Sequence, residues 1–231
     1  MSVVPLFGEQ ERPPRRMMMH EHGWIPFAET SPVGMETHGE RPKGWPEGVI
    51  IMSTGGRGVG LESTYSSLGY ISQMGYNAMV IAPCGTLFQS TPLHYWGKGA
   101  GTAKWKNYQA MSPSFLIIEI ENPGRLMDDG SSHLCEDLSE ESVFFGKDQA
   151  VDPGHYVLYT PQAMKTLKET IKFLYYTNPM IFDLDNVVGF DEVSEDSRSF
   201  PVMSTPGGSL GMHPKHFRAN MKLALTGDID A

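Results

Sequence analysis

The sequence predicts an α/β protein in which helices flank a mixed central β-sheet, preceded by an irregular N-terminal arm. Residues 115–120 form an apolar run continuous enough for a strand buried on both faces. A helix pattern opens at Thr160, and further strand and helix patterns lie on either side of both segments. The full order is strand, helix, hairpin, strand, helix, strand, helix, which is typical of a sheet covered by helices.

Residues 1–47 are predicted to form the arm, and residues 48–231 the folded body. Prolines and glycines recur through the arm without helical or alternating periodicity. Two of its segments, residues 17–19 and 24–27, are apolar enough to dock. We therefore expect the arm to lie over a surface or over a neighbouring subunit.

The first half of the body contains a strand, a helix and a hairpin. Residues 49–52 have strand composition, and residues 62–71 form a weak helical pattern. Residues 78–81 and 86–89 flank Pro-Cys-Gly at 83–85. This pattern predicts two strands joined by a tight turn.

The second half contains the most regular helix. Thr160 is the predicted N-cap and Pro161 occupies the first turn. The apolar residues at helical spacing are Met164, Leu167, Ile171 and Leu174. Residues 128–141 are too polar and unpatterned for either element, residues 187–190 predict a return strand, and residues 213–225 predict a last helix.

Composition excludes several classes of function. The 231 residues carry a net charge of -9, which argues against a phosphate backbone as the main ligand. No apolar run approaches the roughly 20 residues that cross a bilayer, and the N-terminus lacks the pattern of a signal peptide. Cys84 and Cys135 are the only cysteines, so reduced thiols are expected, although one bridge remains open.

Seven short motifs, in this order, resemble the zinc-dependent N-acetylmuramoyl-L-alanine amidases. That family also includes peptidoglycan-recognition proteins and phage amidase-type lysozymes. The motifs are Gly-Tyr-Asn at 75–77, Gly-Thr-Leu at 85–87, Gly-Ala-Gly-Thr-Ala-Lys-Trp at 99–105, Ile-Ile-Glu-Ile at 117–120 with Asn122, Thr-Pro-Gln at 160–162, Val-Gly-Phe-Asp-Glu-Val at 188–193, and Thr-Pro-Gly-Gly-Ser-Leu-Gly-Met at 205–212. The resemblance covers residues 49–225 and implies the amidase fold.

The same resemblance implies that the zinc ligands have been replaced. Zinc catalysis needs three protein ligands and an open fourth position for water. Met52 and Phe190 stand where the family has its two histidines, and Thr205, or Phe200 in another register, stands where it has Asp or Cys. We therefore expect no zinc, no other cofactor and no catalytic residues.

Two further family positions have also changed. The lysine that polarises the substrate carbonyl is represented by Arg198 or Met203, depending on the register, and the loop histidine by Gly99. Four residues resemble parts of the family groove that contact sugar or peptide, and could bind without cleavage or simply pack against the sheet. They are Tyr76, Lys104, Trp105 and Arg198.

Other reactive side chains have unremarkable interpretations. His20 and His22 in the arm, and His213 and His216 in the last helix, could form a relocated metal site, but solvated or capping roles are favoured. Neither cysteine has a recognisable base nearby. Glu119 and Glu121 share one face of a strand and could act as an acid/base pair on a glycan. The family also carries Glu at position 119, which favours a structural role.

The leading hypothesis is a catalytically inactive amidase-like domain acting as a structural protein of a phage virion, in its capsid, neck, tail or baseplate. Its partners would be other virion proteins, or its own copies, contacted through the arm. The alternatives are a peptidoglycan-binding module without hydrolysis, and an active N-acetylmuramoyl-L-alanine amidase with an atypical site. The expected location is the virion, or otherwise the cytoplasm.

Overall fold

The computed structural model describes residues 23–56, 60–124, 126, 143–146, 154–194, 210 and 212–227. The strands are β1 (Glu29–Thr30), β2 (Gly39–Glu40), β3 (Gly48–Ser53), β4 (Met79–Ile81), β5 (Leu87–Gln89), β6 (Tyr95–Trp96), β7 (Phe115–Ile120), β8 (Val143–Gly146), β9 (Gly154–Val157) and β10 (Val187–Gly189). The helices are α1 (Gly60–Gln73), α2 (Pro161–Thr177), α3 (Phe190–Val193) and α4 (Pro214–Thr226), with a 3-10 turn at Leu184–Asn186.

The main sheet has the order β1-β5-β4-β7-β3-β10. Its pairings are parallel except for the antiparallel β4–β5 hairpin. This confirms the predicted mixed sheet flanked by helices. Two small antiparallel pairs, β2–β6 and β8–β9, lie outside it.

Strand β7 lies between β4 and β3 inside the main sheet, and all six of its residues are buried. Alternate side chains point to opposite faces, so they enter two different apolar clusters. Leu116, Ile118 and Ile120 pack with residues of α2 and α4. Phe115 and Ile117 pack with α1. The continuous apolar run thus supplies both layers of the core.

Helices α2 and α4 begin at caps that the sequence encodes. Thr160 Oγ1 accepts the Ala163 N–H at 3.1 Å, and Pro161 occupies the first turn. His213 Nδ1 accepts the Lys215 N–H at 3.2 Å, and α4 ends at Gly227 with a left-handed φ of 73°. Among the described helices, none combines the length and apolar character needed to cross a bilayer.

The described part of the arm, residues 23–47, packs on its own body. Ile25 is 2% exposed and lies in the cluster that contains α2. Buried Gln89 accepts the Ile25 N–H through Oε1 at 2.9 Å and donates through Nε2 to the Gly23 carbonyl at 2.9 Å. The segment predicted as irregular also contributes β1 to the main sheet and β2 to a small one.

Several elements differ from the sequence-based prediction. Helix α1 is longer than residues 62–71, and the return strand stops at Gly189 because Phe190 opens α3. Strands of two residues, such as β1, β2 and β6, are too short for a periodic signal. The predicted polar loop at 128–141 lies outside the described residues, and the boundary at residue 47 remains a prediction.

Candidate functional site

A polar cluster lies at the end of the sheet that is formed by the carboxyl-terminal ends of β3 and β7. Glu121, which directly follows β7 and is 2% exposed, is its centre. The Glu121 carboxylate accepts hydrogen bonds from Thr54 Oγ1 at 2.8 Å, from Ser67 Oγ at 2.6 Å and from Ser63 Oγ. Three hydroxyl donors from α1 and the end of β3 therefore satisfy a carboxylate that burial alone would destabilise.

Glu119 lies two residues earlier on the same face of β7 and is buried as well. Burial, followed by the charge of Glu121, raises its pKa to about 8. The Glu119 carboxyl is therefore predominantly protonated at neutral pH. The sequence-based expectation of two carboxylates on one face is consistent with this geometry, but the two groups have very different surroundings.

Met52 lies beside Glu119 in the sheet, and Phe190 follows β10 on the other side of β3. Met52 pairs with Glu119 in the register of β3 and β7. Gly189 pairs with Ile51, so Phe190 and Met52 come next along their neighbouring strands. Phe190 is buried in the apolar cluster on the α1 face, and Met52 packs against that cluster. Thr205, Phe200 and Met203 lie outside the described residues.

The residues at these two positions do not fit a zinc ion. Zinc in proteins takes imidazole, thiolate or carboxylate ligands, whereas Met52 offers a thioether and Phe190 a hydrocarbon ring. Among the described residues, no group of three or more His, Cys, Asp or Glu is arranged to hold a metal. The neighbouring Glu121 carboxylate is already occupied by hydroxyl donors.

A second polar contact lies on the opposite face of the sheet, again where β3 ends. The sequence did not predict this contact. The hydroxyl groups of Ser53 and Tyr159 lie 2.7 Å apart, and both residues are buried. Burial raises the pKa of Tyr159. The hydrogen bond with Ser53 lowers this pKa, whereas the charges of Asp191 and Glu119 raise it further. Tyr159 is therefore neutral. An isolated Ser and Tyr 106 positions apart have no sequence signal in common.

The Gly-Ala-Gly-Thr-Ala-Lys-Trp segment covers the α1 face of the sheet. Ala100 and Ala103 belong to the same apolar cluster as Phe190. Gly99 lies against the Ile117 side chain of β7, since a Cβ atom at position 99 would be 2.4 Å from Ile117 Cδ1. A side chain at 99 would therefore require the Ile117 side chain or the segment itself to shift. Gly99 thus has a packing role at the position that the resemblance assigns to a histidine.

Of the predicted groove residues that the structure describes, Tyr76 lies on a different part of the sheet from Trp105. Trp105 donates from Nε1 to Asn186 Oδ1 at 3.2 Å, and the Arg218 guanidinium carbon lies 5.2 Å from its ring centroid. Asn186 precedes β10, whereas Tyr76 precedes β4, and β7 and β3 separate these strands. Tyr76 is 38% exposed and Lys104 is exposed. Arg198 lies outside the described residues.

Glu47 is a buried acid that sequence reasoning missed. Its carboxylate accepts hydrogen bonds from Ser114 Oγ at 2.7 Å, from Tyr108 Oη at 2.9 Å and from Lys43 Nζ. Burial would raise the pKa of Glu47, but these three hydrogen bonds together lower it below its ordinary value. Glu47 ties the start of β3 to the segment before β7, so its role is structural.

The remaining reactive residues show capping or surface contacts. His213 caps α4, and burial is the main cause that lowers its pKa. Its ring centroid lies 6.3 Å from that of His216. Cys84 is exposed in the β4–β5 turn, with Sγ 3.3 Å from Thr86 Oγ1. Cys135, His20 and His22 lie outside the described residues.

No family model matches the sequence, and neither does any curated protein. Among solved structures, the chain is similar to a selenomethionine derivative of AmpD, with a TM-score of 0.54 and 15% identity over 90% of this chain and 100% of that chain. This chain has the AmpD fold. At 15% identity, the likeness establishes a type 2 amidase fold without establishing an activity.

Two further structures align less well. One is the E. coli N-acetylmuramyl-L-alanine amidase AmiD in complex with an anhydro-N-acetylmuramic acid peptide, with a TM-score of 0.47 and 14% identity over 68% of this chain and 52% of that chain. The other is the N-acetylmuramoyl-L-alanine amidase LysC from Clostridium intestinale URNW, with a TM-score of 0.40 and 16% identity over 85% of this chain and 97% of that chain.

Proposed function

We propose that this chain is a non-catalytic protein of amidase fold that serves as a structural component of a phage virion. The observation that supports the loss of catalysis is that Phe190 is buried in an apolar cluster and Met52 packs against that cluster, each directly after the paired residues Gly189 and Ile51. By resemblance, these positions belong to two zinc-binding histidines. A thioether and a phenyl ring cannot hold a divalent ion in an open site.

The carboxylates near this cluster do not offer a replacement site. Glu121 is held by hydroxyl groups of its own chain, and Glu119 is protonated at neutral pH. Metal binding at Glu119 would require loss of that proton. The state of these two carboxyl groups therefore supports a structural role rather than metal-dependent catalysis.

The virion assignment rests on the resemblance to a family that includes phage lysozymes. The arm contributes less to this assignment than its sequence suggests, because Ile25 is buried in the core of its own chain. Residues 1–22, with three consecutive methionines at 17–19, lie outside the described residues, and a partner contact through the arm stays a prediction.

Zinc content and cell-wall release together test the absence of catalysis. Purified protein is analysed for metal, and release of soluble muropeptide from cell wall is measured with and without added zinc, beside an active zinc amidase. We expect neither stoichiometric zinc nor release. Stoichiometric zinc with chelator-sensitive release would restore the amidase interpretation.

Two binding measurements test the structural role. Antibodies raised against the chain should label purified phage particles in immunoblots and electron micrographs. Sedimentation with insoluble cell wall tests the alternative of a peptidoglycan-binding module. Retention on cell wall together with unlabelled particles would replace the structural role with peptidoglycan binding.

A further inference from the structure

The outward side of α1 carries most of the large apolar and aromatic side chains that the described residues expose. Eight such side chains are exposed, and five of them belong to residues 61–76. We call these five the α1 patch: Leu61 (40% exposed), Tyr65 (45%), Tyr70 (60%), Met74 (48%) and Tyr76 (38%). A concentration of apolar surface of this kind is typical of a protein–protein contact.

The stretch of sequence that contains the α1 patch is nearly free of charge. From Gly60 to Gly97 it has a single Asp, Glu, Lys or Arg residue, Glu62, although 19% of the whole chain is charged. Two copies of a chain with a net charge of -9 repel each other, and they do so least where the facing surfaces are uncharged. A different partner would be selected chiefly by complementary charges, which this surface does not offer. The patch therefore suits a second copy of the same chain.

Gly69 is an independent indication of a close approach on this side of α1. It lies inside the helix, where glycine is less stable than alanine. No described atom lies within 4 Å of the position that a Cβ atom would take there, so packing within the chain does not require a glycine. Ser66, Gly69 and Gln73 follow one line along the outward side of the helix, with Tyr65 and Tyr70 on either side of this line. A missing side chain on the line gives another helix room to approach.

The area of the α1 patch matches what a stable dimer needs. An aromatic side chain has about 150–250 Å² to bury, so the exposed fractions of the three tyrosines offer about 300 Å². Leu61 and Met74, taken as slightly smaller, bring the patch to roughly 450 Å². A standard interface buries about 800 Å² on each partner, of which somewhat under 60%, or about 450 Å², is non-polar. The patch supplies this non-polar share.

We propose that two copies of this chain associate through the α1 patch, with their α1 helices crossing in antiparallel directions between Ser66 and Gly69. A two-fold axis at the crossing makes the contact self-complementary. Glu62 and Gln73 are equally far from this crossing in sequence, so Glu62 of each copy faces Gln73 of the other and the two carboxylates stay apart. Tyr70 of each copy packs beside Gly69 of the other.

Sedimentation velocity of the intact chain at increasing concentration tests this association. We expect an equilibrium between monomer and dimer. Tyr70→Lys should raise the dissociation constant on the order of tenfold or more, because it replaces an aromatic contact with a charge near the two-fold axis. Met180→Lys is the matched control, since Met180 is 92% exposed, lies outside α1 and receives the same charge. It should leave the dissociation constant unchanged.

Two further positions distinguish a defined helix crossing from general adhesion. Gly69→Gln has room in the single chain, yet its side chain would occupy the space that the second helix needs. We expect it to raise the dissociation constant on the order of tenfold. Gln73→Lys should lower the dissociation constant, because the new cation faces Glu62 of the other copy, and Gln73→Glu should raise it. Each variant is first shown to be folded by circular dichroism.

Three results would overturn the proposal. A chain that stays monomeric at every concentration would leave the α1 patch to a different protein. A dimer that tolerates both Tyr70→Lys and Gly69→Gln would place the contact elsewhere on the surface. Equal effects of Gln73→Lys and Gln73→Glu would exclude the antiparallel crossing. If Gly69→Gln does not fold, wild-type sedimentation and the exposed positions 70 and 73 still decide the outcome.

Discussion

At the scale of single residues, the protonation of Glu119 is strongly coupled to folding. Its folded pKa of about 8 exceeds the ordinary value of 4.5, so the folded state retains a proton that the unfolded state loses. The free energy of unfolding should therefore decrease as pH rises from about 5 to about 8. The full stabilisation is present only below the ordinary pKa.

Glu119→Gln should remove this pH dependence, because the amide has similar shape and no titrating proton. We expect the variant to be more stable than wild type at pH 8, and the difference to shrink towards pH 5. Urea denaturation at several pH values measures it. A wild-type slope retained in the variant would show that another group is responsible.

Glu121→Gln should behave differently, although it is the same chemical change two residues away. One acceptor oxygen becomes an NH2 group facing the hydroxyl groups of Ser63, Ser67 and Thr54. We expect a loss of about 1 to 3 kcal/mol in the free energy of unfolding at pH 5. The loss should be smaller at pH 8, because removing the Glu121 charge also lowers the pKa of Glu119. Glu119→Gln is its matched control, and stability equal to wild type would refute the hydroxyl network.

At the scale of elements, the N-cap of α2 tests whether local chemistry stabilises the largest helix. Thr160→Ala removes the oxygen that accepts the Ala163 N–H. It should lower the free energy of unfolding by about 1 kcal/mol. Thr160→Ser keeps the acceptor and should lose less, as measured by urea denaturation of both variants. Equal losses would assign the effect to the threonine methyl group.

Element prediction succeeded where the signal was local. The cap of α2, the β4–β5 turn and the apolar run of β7 each depend on residues close in sequence, and the structure confirms all three. The strands β1, β2 and β6 have only two residues each. Their partners, rather than their own patterns, make them strands, so no local pattern could reveal them.

At the scale of the whole molecule, docking of the arm is the main testable feature. Ile25→Ala should cost about 2 to 5 kcal/mol, because it removes buried methyl groups from the cluster that contains α2. It should also increase hydrogen exchange between residues 23 and 47. Phe27→Ala is the control, since Phe27 is 45% exposed against 2% for Ile25, and its loss should be smaller. Equal effects would show that Ile25 does not anchor the arm.

The sequence by itself determined the α/β class, the central strand, the hairpin and the capped helix, because periodicity and capping act over a few residues. Only the tertiary structure decided which polar groups are satisfied. The hydroxyl donors of Glu121 lie 54 to 67 residues earlier, and the carbonyl acceptors of Arg41 lie 52 to 74 residues later. Such partners meet only when the sheet assembles, so the state of a buried charge cannot be read from its neighbours in sequence.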